Sequence, residues 1–137
     1  MSANVPAIRA ALVEVVGAID PNLTTYLDPP LGPIQLPAII VYPPDTIDYR
    51  RTRRLDIVTV PILVLVGLQD PTSIRVLEGL MSGTGSLSLL VALYTDRTLG
   101  GTVSNLRLLD MTSGAYSVGT GPDDNAIGAE FRVEIHT

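Results

Sequence analysis

Arginine is the residue type in this 137-residue sequence whose spacing most suggests chemistry. One cluster places four arginines within five residues: Arg50, Arg51, Arg53 and Arg54. Guanidinium groups bind phosphates and carboxylates through paired hydrogen bonds. Three roles are open: a solvated loop, a phosphate-binding loop, or a contact with carboxylates of a neighbouring subunit. The acceptors considered for that contact are two pairs: Asp123 and Asp124, or Asp45 and Asp48. We predict that the four arginines, with Asp123 and Asp124, are subunit-interface residues.

The other candidate sites lack part of the pattern that their chemistry needs. His136 is the single histidine, and no serine or cysteine elbow motif accompanies it, so a satisfied surface histidine is the expected role. Residues 79–85 are glycine-rich and precede a helix, but they lack the Gly-Lys-Ser/Thr of a phosphate loop. Residues 119–125 have the composition of a calcium loop without its ligand spacing. The sequence therefore predicts no catalytic residue, no cofactor and no metal.

Composition favours a folded protein with partners. Apolar residues make up 46% and charged residues 17% of the chain, which excludes an intrinsically disordered protein. So few charges on so apolar a chain indicate that some apolar surface is buried against other subunits. The net charge of −5 argues against nucleic acid as a free-standing partner. Because the sequence has no long apolar run and no basic N-terminal region, we expect no membrane span and no secretory signal.

The first half of the sequence predicts one helix and two strands. Apolar residues repeat at helical spacing from Val5 to Ile19, with Asn4 as the N-cap. Residues 21–44 contain seven of the eleven prolines and are predicted to be an extended connector, in which residues 38–42 form a short strand. Residues 55–66 form the clearest strand, apolar on both faces from residue 60. Pro61 lacks an amide donor, which predicts a sheet edge or a bulge there.

The second half predicts two helices followed by strands. Asp70 is expected to begin a helix that buries Ile74, Leu77 and Leu80 or Met81, and Ser86 to cap a third helix. The apolar face predicted for that third helix has four members: Leu87, Leu90, Val91 and Tyr94. Strands are predicted at 102–111, 115–118 and 126–136, the last with its odd-numbered residues 131, 133 and 135 inward. The order predicts a single α+β domain over residues 1–137, with a mainly antiparallel sheet and its helices on one face.

The order of several segments along nearly the whole chain resembles a known family. The most characteristic are residues 96–101 (Asp-Arg-Thr-Leu-Gly-Gly) and 128–131 (Gly-Ala-Glu-Phe). The strands at 37–43 and 60–67 and the turn at 82–86 precede them in the expected order. Together they resemble the tail terminator, or head-to-tail connector, proteins of long-tailed actinobacterial bacteriophages.

The resemblance implies a structural virion protein and no catalytic residue. Its expected assembly is a homo-oligomer, a hexameric ring, that caps the finished tail tube in the host cytoplasm. The implied partners are the tail tube protein and a head-completion or connector protein, while DNA passes through the lumen without specific binding. A related neck or tail-completion protein is the near alternative. A small ligand-binding or enzymatic domain is the alternative from another class, and it needs convergent polar groups in a pocket.

Overall fold

The computed structural model describes residues 4–27, 36–49, 56–67, 71–117 and 125–137. Three helices and six strands occur in these ranges. In chain order they are α1 (Val5–Gly17), β1 (Thr24–Tyr26), β2 (Ala38–Val41), β3 (Thr46–Asp48), β4 (Ile57–Gly67), α2 (Pro71–Met81), α3 (Leu89–Thr95), β5 (Asn105–Ser117) and β6 (Asn125–His136). The strands form one sheet in the order β1-β2-β4-β6-β5, and β3 pairs with β4 beyond the end of β2. Only β1 and β2 pair in parallel, which confirms the predicted mainly antiparallel α+β fold.

Helix α1 begins and packs as its sequence predicts. The Asn4 side chain accepts a hydrogen bond from the Ala7 N–H at 3.3 Å, which satisfies one of the free amides of the first turn. Ile8, Leu12 and Val16 follow at four-residue spacing and are buried against the sheet. The same core receives side chains of α2 and α3, so all three helices pack on one face of the sheet. None of the described helices is long and apolar enough to cross a bilayer.

Strand β4 lies in the middle of the sheet, and this position explains its apolar sequence. Its even-numbered residues from Val58 to Val66 are buried under the helices. Pro61 is at neither an edge nor a bulge, so that prediction is wrong. The Pro61 carbonyl accepts from the Tyr42 N–H at 3.1 Å, and the next carbonyl on that side, Thr59, accepts from the Asp45 N–H at 3.0 Å. Residue 61 thus faces the turn between β2 and β3, where the missing N–H costs no ladder hydrogen bond.

The predicted buried face is confirmed in part for α2 and is displaced in α3. In α2, Leu77 and Leu80 are buried, whereas Ile74 is 39% exposed. In α3 the N-cap is Ser88 and not Ser86: its hydroxyl accepts from the Val91 N–H at 3.1 Å. Moving the start of the helix by two residues rotates its buried face to Leu89 and Leu93. The predicted face is therefore wrong for its outer members, since Val91 and Tyr94 are exposed. Asp70 lies outside the described residues.

Strands β5 and β6 form one long antiparallel hairpin. The two strands predicted at 102–111 and 115–118 are a single strand, because residues 112–114 pair with β6 instead of turning away. A β-bulge between Leu108 and Asp110 shifts the register. In β6 the predicted inward residues, Phe131, Val133 and Ile135, are all fully buried. Residues 119–124 of the predicted turn lie outside the described residues.

Residues 96–101, one of the two most characteristic segments of the resemblance, form a tight loop after α3. The Asp96 carboxylate accepts from the Gly100 N–H at 2.8 Å. Leu99, Gly100 and Gly101 all have positive φ, at 50°, 67° and 89°. Glycine adopts this region without strain, whereas Leu99 is held there with its side chain only 4% exposed in the core. The loop thereby anchors the start of β5 beneath the helices.

Candidate functional site

The sheet face opposite the helices, here called the outer face, carries a second apolar cluster. Ile40, Leu65 and Ala126 are buried there. Around them are five half-buried or partly exposed side chains: Tyr26, Leu36, Tyr42, Leu63 and Tyr116. No helix residue belongs to this cluster in the part of the chain that the structure describes. The outer face therefore presents tyrosine and leucine side chains toward its surroundings.

Four segments of the sheet contribute to one depression on this face, of about 360 Å³. Tyr42 follows β2, Pro61 and Leu63 belong to β4, Tyr116 to β5 and Glu130 to β6. Glu130 is placed beside Leu63 by the pairing of β4 with β6. We call this depression the tyrosine–glutamate pocket. It combines apolar walls with two phenol groups and one carboxylate, which is a lining suited to an organic cation.

The two phenols of the pocket are perturbed by their surroundings. Burial raises the pKa of Tyr42, and the negative charge of Glu130 raises it further. The pKa of Tyr116 is raised by the same two causes in the same order. Both phenols are therefore protonated at neutral pH and can donate hydrogen bonds.

Among the described residues no cation contacts the Glu130 carboxylate, in contrast to Asp45, Asp110 and Glu134. The nearest arginine along β6 is Arg132, whose guanidinium contacts Asp45 at 3.4 Å and Asp110 at 3.8 Å. Within the described ranges no hydrogen bond or ion pair reaches the Glu130 side chain. The pocket thus holds a half-buried negative charge beside two aromatic rings.

The charged side chains beyond the pocket contact one another within the subunit. Glu134 lies 3.7 Å from the Arg107 guanidinium and 2.7 Å from His136 Nε2. His136 is accordingly a satisfied surface residue, as the sequence predicted. Together with the group around Arg132, these pairs cover the half of the outer face next to the carboxyl end of β6. The outer face is therefore divided into a half whose charged side chains form ion pairs within the subunit and an apolar half that contains Glu130.

The predicted interface residues cannot be placed in this geometry. Six residues lie outside the described ranges: Arg50, Arg51, Arg53, Arg54, Asp123 and Asp124. Of the alternative acceptors, Asp45 is engaged with Arg132 of its own chain, and Asp48 is exposed on β3. Sequence reasoning missed the pocket because Tyr42, Tyr116 and Glu130 come from distant segments and no local motif joins them.

Two other depressions of the described surface have a different lining. One lies between α1 and α3 and is bordered by Val15, Ile19 and Val91. Another lies between α2 and β5, beside Ile74 and Ser113. Neither is lined by an ionisable side chain. In the described residues there is also no group of three His, Cys, Asp or Glu side chains that is placed to hold a metal ion.

Comparison with solved structures gives structural likenesses at low sequence identity. No protein-family model matches the sequence, and no curated protein is significantly similar to it. A chain in a solved structure described as the virion of a native gene transfer agent particle superposes with a TM-score of 0.45. The superposition covers 99% of this chain and 100% of that chain, at 15% sequence identity.

Proposed function

We propose that this chain is a structural subunit of a phage-like virion, of the tail terminator type, which forms a ring that ends the tail tube and joins it to the head. The observation that carries the proposal is the outer face, where, within the described residues, no helix packs against the apolar cluster or the carboxylate of Glu130. The resemblance of residues 96–101 and 128–131 to tail terminator proteins supports the same role.

The architecture suits a ring. A closed ring of identical subunits needs two different, complementary surfaces on each subunit. Because the three helices all pack on one side of the sheet, the other side is available for a neighbouring subunit. The net charge of −5 suits a lumen through which DNA slides without being held. No chemical step is required of any side chain in this role.

The first test is the mass of the purified protein over a concentration series, followed by negative-stain electron microscopy of any large species. Six copies of the 14.6-kDa chain weigh roughly 88 kDa and should form a ring with an open centre. The second test adds the protein to growing tail tubes, whose elongation should stop. A protein that is monomeric at every concentration and leaves tube growth unchanged would contradict the proposal.

The near alternative, a neck or tail-completion protein, shares the ring but differs in its partner. Such a protein would bind the head connector and leave the growth of tail tubes unaffected. The alternative from another class, a small ligand-binding domain, is favoured by one observation, the tyrosine–glutamate pocket. Titration of the monomeric protein with a small guanidinium compound separates the two classes: saturable binding by a chain that never assembles would favour the ligand-binding domain.

A further inference from the structure

We infer that the tyrosine–glutamate pocket is the receptor for an arginine side chain of a second copy of this chain, supplied by its arginine cluster at residues 50–54. This inference rests on the proposed ring. It identifies the carboxylate that receives the cluster as Glu130, in place of the aspartates considered from the sequence.

The lining of the pocket matches a guanidinium group. A guanidinium is planar and weakly hydrated, it stacks on aromatic faces, and it binds a carboxylate through two parallel hydrogen bonds. The pocket offers both partners, since Tyr42 and Tyr116 flank the depression and Glu130 supplies the carboxylate. All nine basic residues of the chain are arginine, so a second copy can offer this group and no lysine.

Charge complementarity selects Glu130 among the carboxylates of the outer face. Asp45 and Asp110 share Arg132, and Glu134 contacts both Arg107 and His136. Glu130 is half-buried and has no such neighbour in the ranges that the structure describes. A guanidinium from outside the subunit would give this carboxylate a charged hydrogen-bonding partner that the described part of its own subunit does not supply.

Charge complementarity also selects the arginine cluster as the donor. Four described arginines already contact groups of their own chain: Arg9, Arg97, Arg107 and Arg132. Arg75 is a single exposed residue on α2, on the helical side of the sheet. The cluster instead offers four guanidinium groups within five residues, so that any one of the four can bind in the pocket.

Geometry favours a neighbouring copy over the same chain. The residues that flank the cluster on its two sides, Asp48 and Ile57, pair with each other at the start of β4. Glu130 pairs with Leu63, which is about 20 Å farther along β4 at the usual rise of roughly 3.3 Å per residue. The described residues on either side of the cluster therefore lie toward the opposite end of β4 from Glu130. A contact between two different patches is also the kind that closes a ring.

The decisive variant is Glu130→Gln, which keeps the shape of the side chain and removes its charge. We expect its assembly to need about tenfold more protein than the wild type, which is the effect of losing one charged hydrogen-bonded contact. Glu78→Gln removes an exposed carboxylate from α2 and is the matched control. Wild-type assembly by Glu130→Gln, measured by sedimentation velocity over the same concentrations, would overturn the inference while leaving the ring itself intact.

A peptide of residues 48–56 tests the contact without requiring a ring. It should bind the full-length protein saturably and perturb the NMR signals of Tyr42 and Tyr116. The same peptide with its four arginines replaced by glutamine should not bind the wild-type protein. The wild-type peptide, in turn, should not bind the Glu130→Gln protein. Equal binding of the peptide to Glu130→Gln and to the wild type would overturn the inference. Asp123 and Asp124 would then again be the favoured acceptors of the arginine cluster. The absence of rings and of tube capping by the wild type would instead count against the proposed function.

A charge reversal provides the last check. Glu130→Arg should abolish assembly, and combining it with a glutamate at one of the four positions of the cluster should restore it. Arg75→Glu, made in the same Glu130→Arg background, is the control and should restore nothing. Rescue of assembly by Arg75→Glu would contradict the proposed pairing. Failure of every substitution in the cluster to rescue assembly would contradict it as well.

Discussion

Gly128 and Glu130 lie two residues apart on the outer side of β6, and the packing demands opposite properties of them. Glu130 extends a charged side chain into the tyrosine–glutamate pocket. At Gly128 there is no room for any side chain, because a Cβ there would lie 2.1 Å from the Val64 carbonyl oxygen. The Gly-Ala-Glu-Phe segment therefore combines a steric requirement of the sheet with the group that we assign to recognition.

Replacement of Gly128 by alanine should destabilise the subunit strongly. The added methyl group meets backbone rather than a movable side chain, so we expect a loss of about 3 kcal/mol in the free energy of unfolding. Denaturant unfolding at matched protein concentration measures it. Gly114→Ala is the control, because Gly114 pairs with Gly128 but an added Cβ there meets only the Tyr116 ring at 4.0 Å. Equal stability of the two variants would refute the steric explanation.

The ionisation of Tyr42 and Tyr116 reports on the pocket. Both pKa values are raised above the ordinary 10.0, first by burial and then by Glu130. The folded state therefore holds these protons more tightly than the unfolded chain does. The contribution of these two phenols to the free energy of unfolding is fully present below pH 10. It is lost as the pH rises through their folded-state pKa values.

Removal of the Glu130 charge should lower both of these pKa values without bringing them to the ordinary value, because burial remains. Titration of the phenolate absorbance checks this, with Tyr42→Phe and Tyr116→Phe identifying the two signals. Glu78→Gln should leave both pKa values unchanged. A Glu130→Gln titration curve that overlays the wild-type curve would show that Glu130 does not face the phenols.

At the level of elements, the position of a cap decides which face of a short helix is buried. Ser88 caps α3 and is 1% exposed, whereas Ser86 is exposed. We expect Ser88→Ala to reduce the free energy of unfolding by about 1 kcal/mol or slightly more, since the Ser88 hydroxyl also donates to the Ser82 carbonyl. Ser86→Ala should be nearly neutral. Chemical denaturation of the two variants distinguishes the caps, and the opposite ranking would contradict the structure.

Elements with a strong local signal could be predicted from the sequence, and elements defined by pairing could not. Asn4 and the spacing after it identify α1, and the alternation before His136 identifies β6. Strands β1 and β3 are three residues long and carry no pattern of their own. They form because Pro37, Thr59 and their neighbours offer backbone partners. The length of β5 was missed for the same reason: Ser113 and Gly114 resemble a turn until β6 pairs with them.

The pocket was beyond sequence prediction for a related reason. The alternation of β6, with Phe131 inward, predicts that Glu130 points outward, but nothing in the sequence links it with Tyr42 or Tyr116. The sheet order brings them together, with β4 and β6 placed between β2 and β5. The arginine cluster is conspicuous in the sequence, and its role as an interface remains a prediction.

On the scale of the whole molecule, the two sides of the sheet have different tasks. The helical side contains the main core, and the outer face carries the residues that we assign to contact between subunits. A charge placed on the outer face should therefore disrupt assembly more than a charge placed on the helical side.

The pair Leu63→Glu and Ile74→Glu tests this assignment of faces. Leu63 is half-buried in the tyrosine–glutamate pocket, and Ile74 is an exposed apolar residue of α2. We expect Leu63→Glu to remain folded but monomeric, and Ile74→Glu to assemble as the wild type does. Circular dichroism and light scattering monitor the two properties. Loss of assembly in Ile74→Glu alone would place the interface on the helical side.

The central position of β6 has a consequence for synthesis on the ribosome. β4 pairs along most of its length with residues 127–136, so its partner emerges some seventy residues after it does. Contacts so distant in sequence slow folding, and at roughly 5–20 residues per second several seconds of translation separate the two strands. During this interval the apolar edge of β4 lacks its neighbour. A nascent chain therefore cannot complete its sheet or display the pocket that Glu130 helps to form, and recruitment into the proposed ring would have to wait until synthesis has passed residue 136.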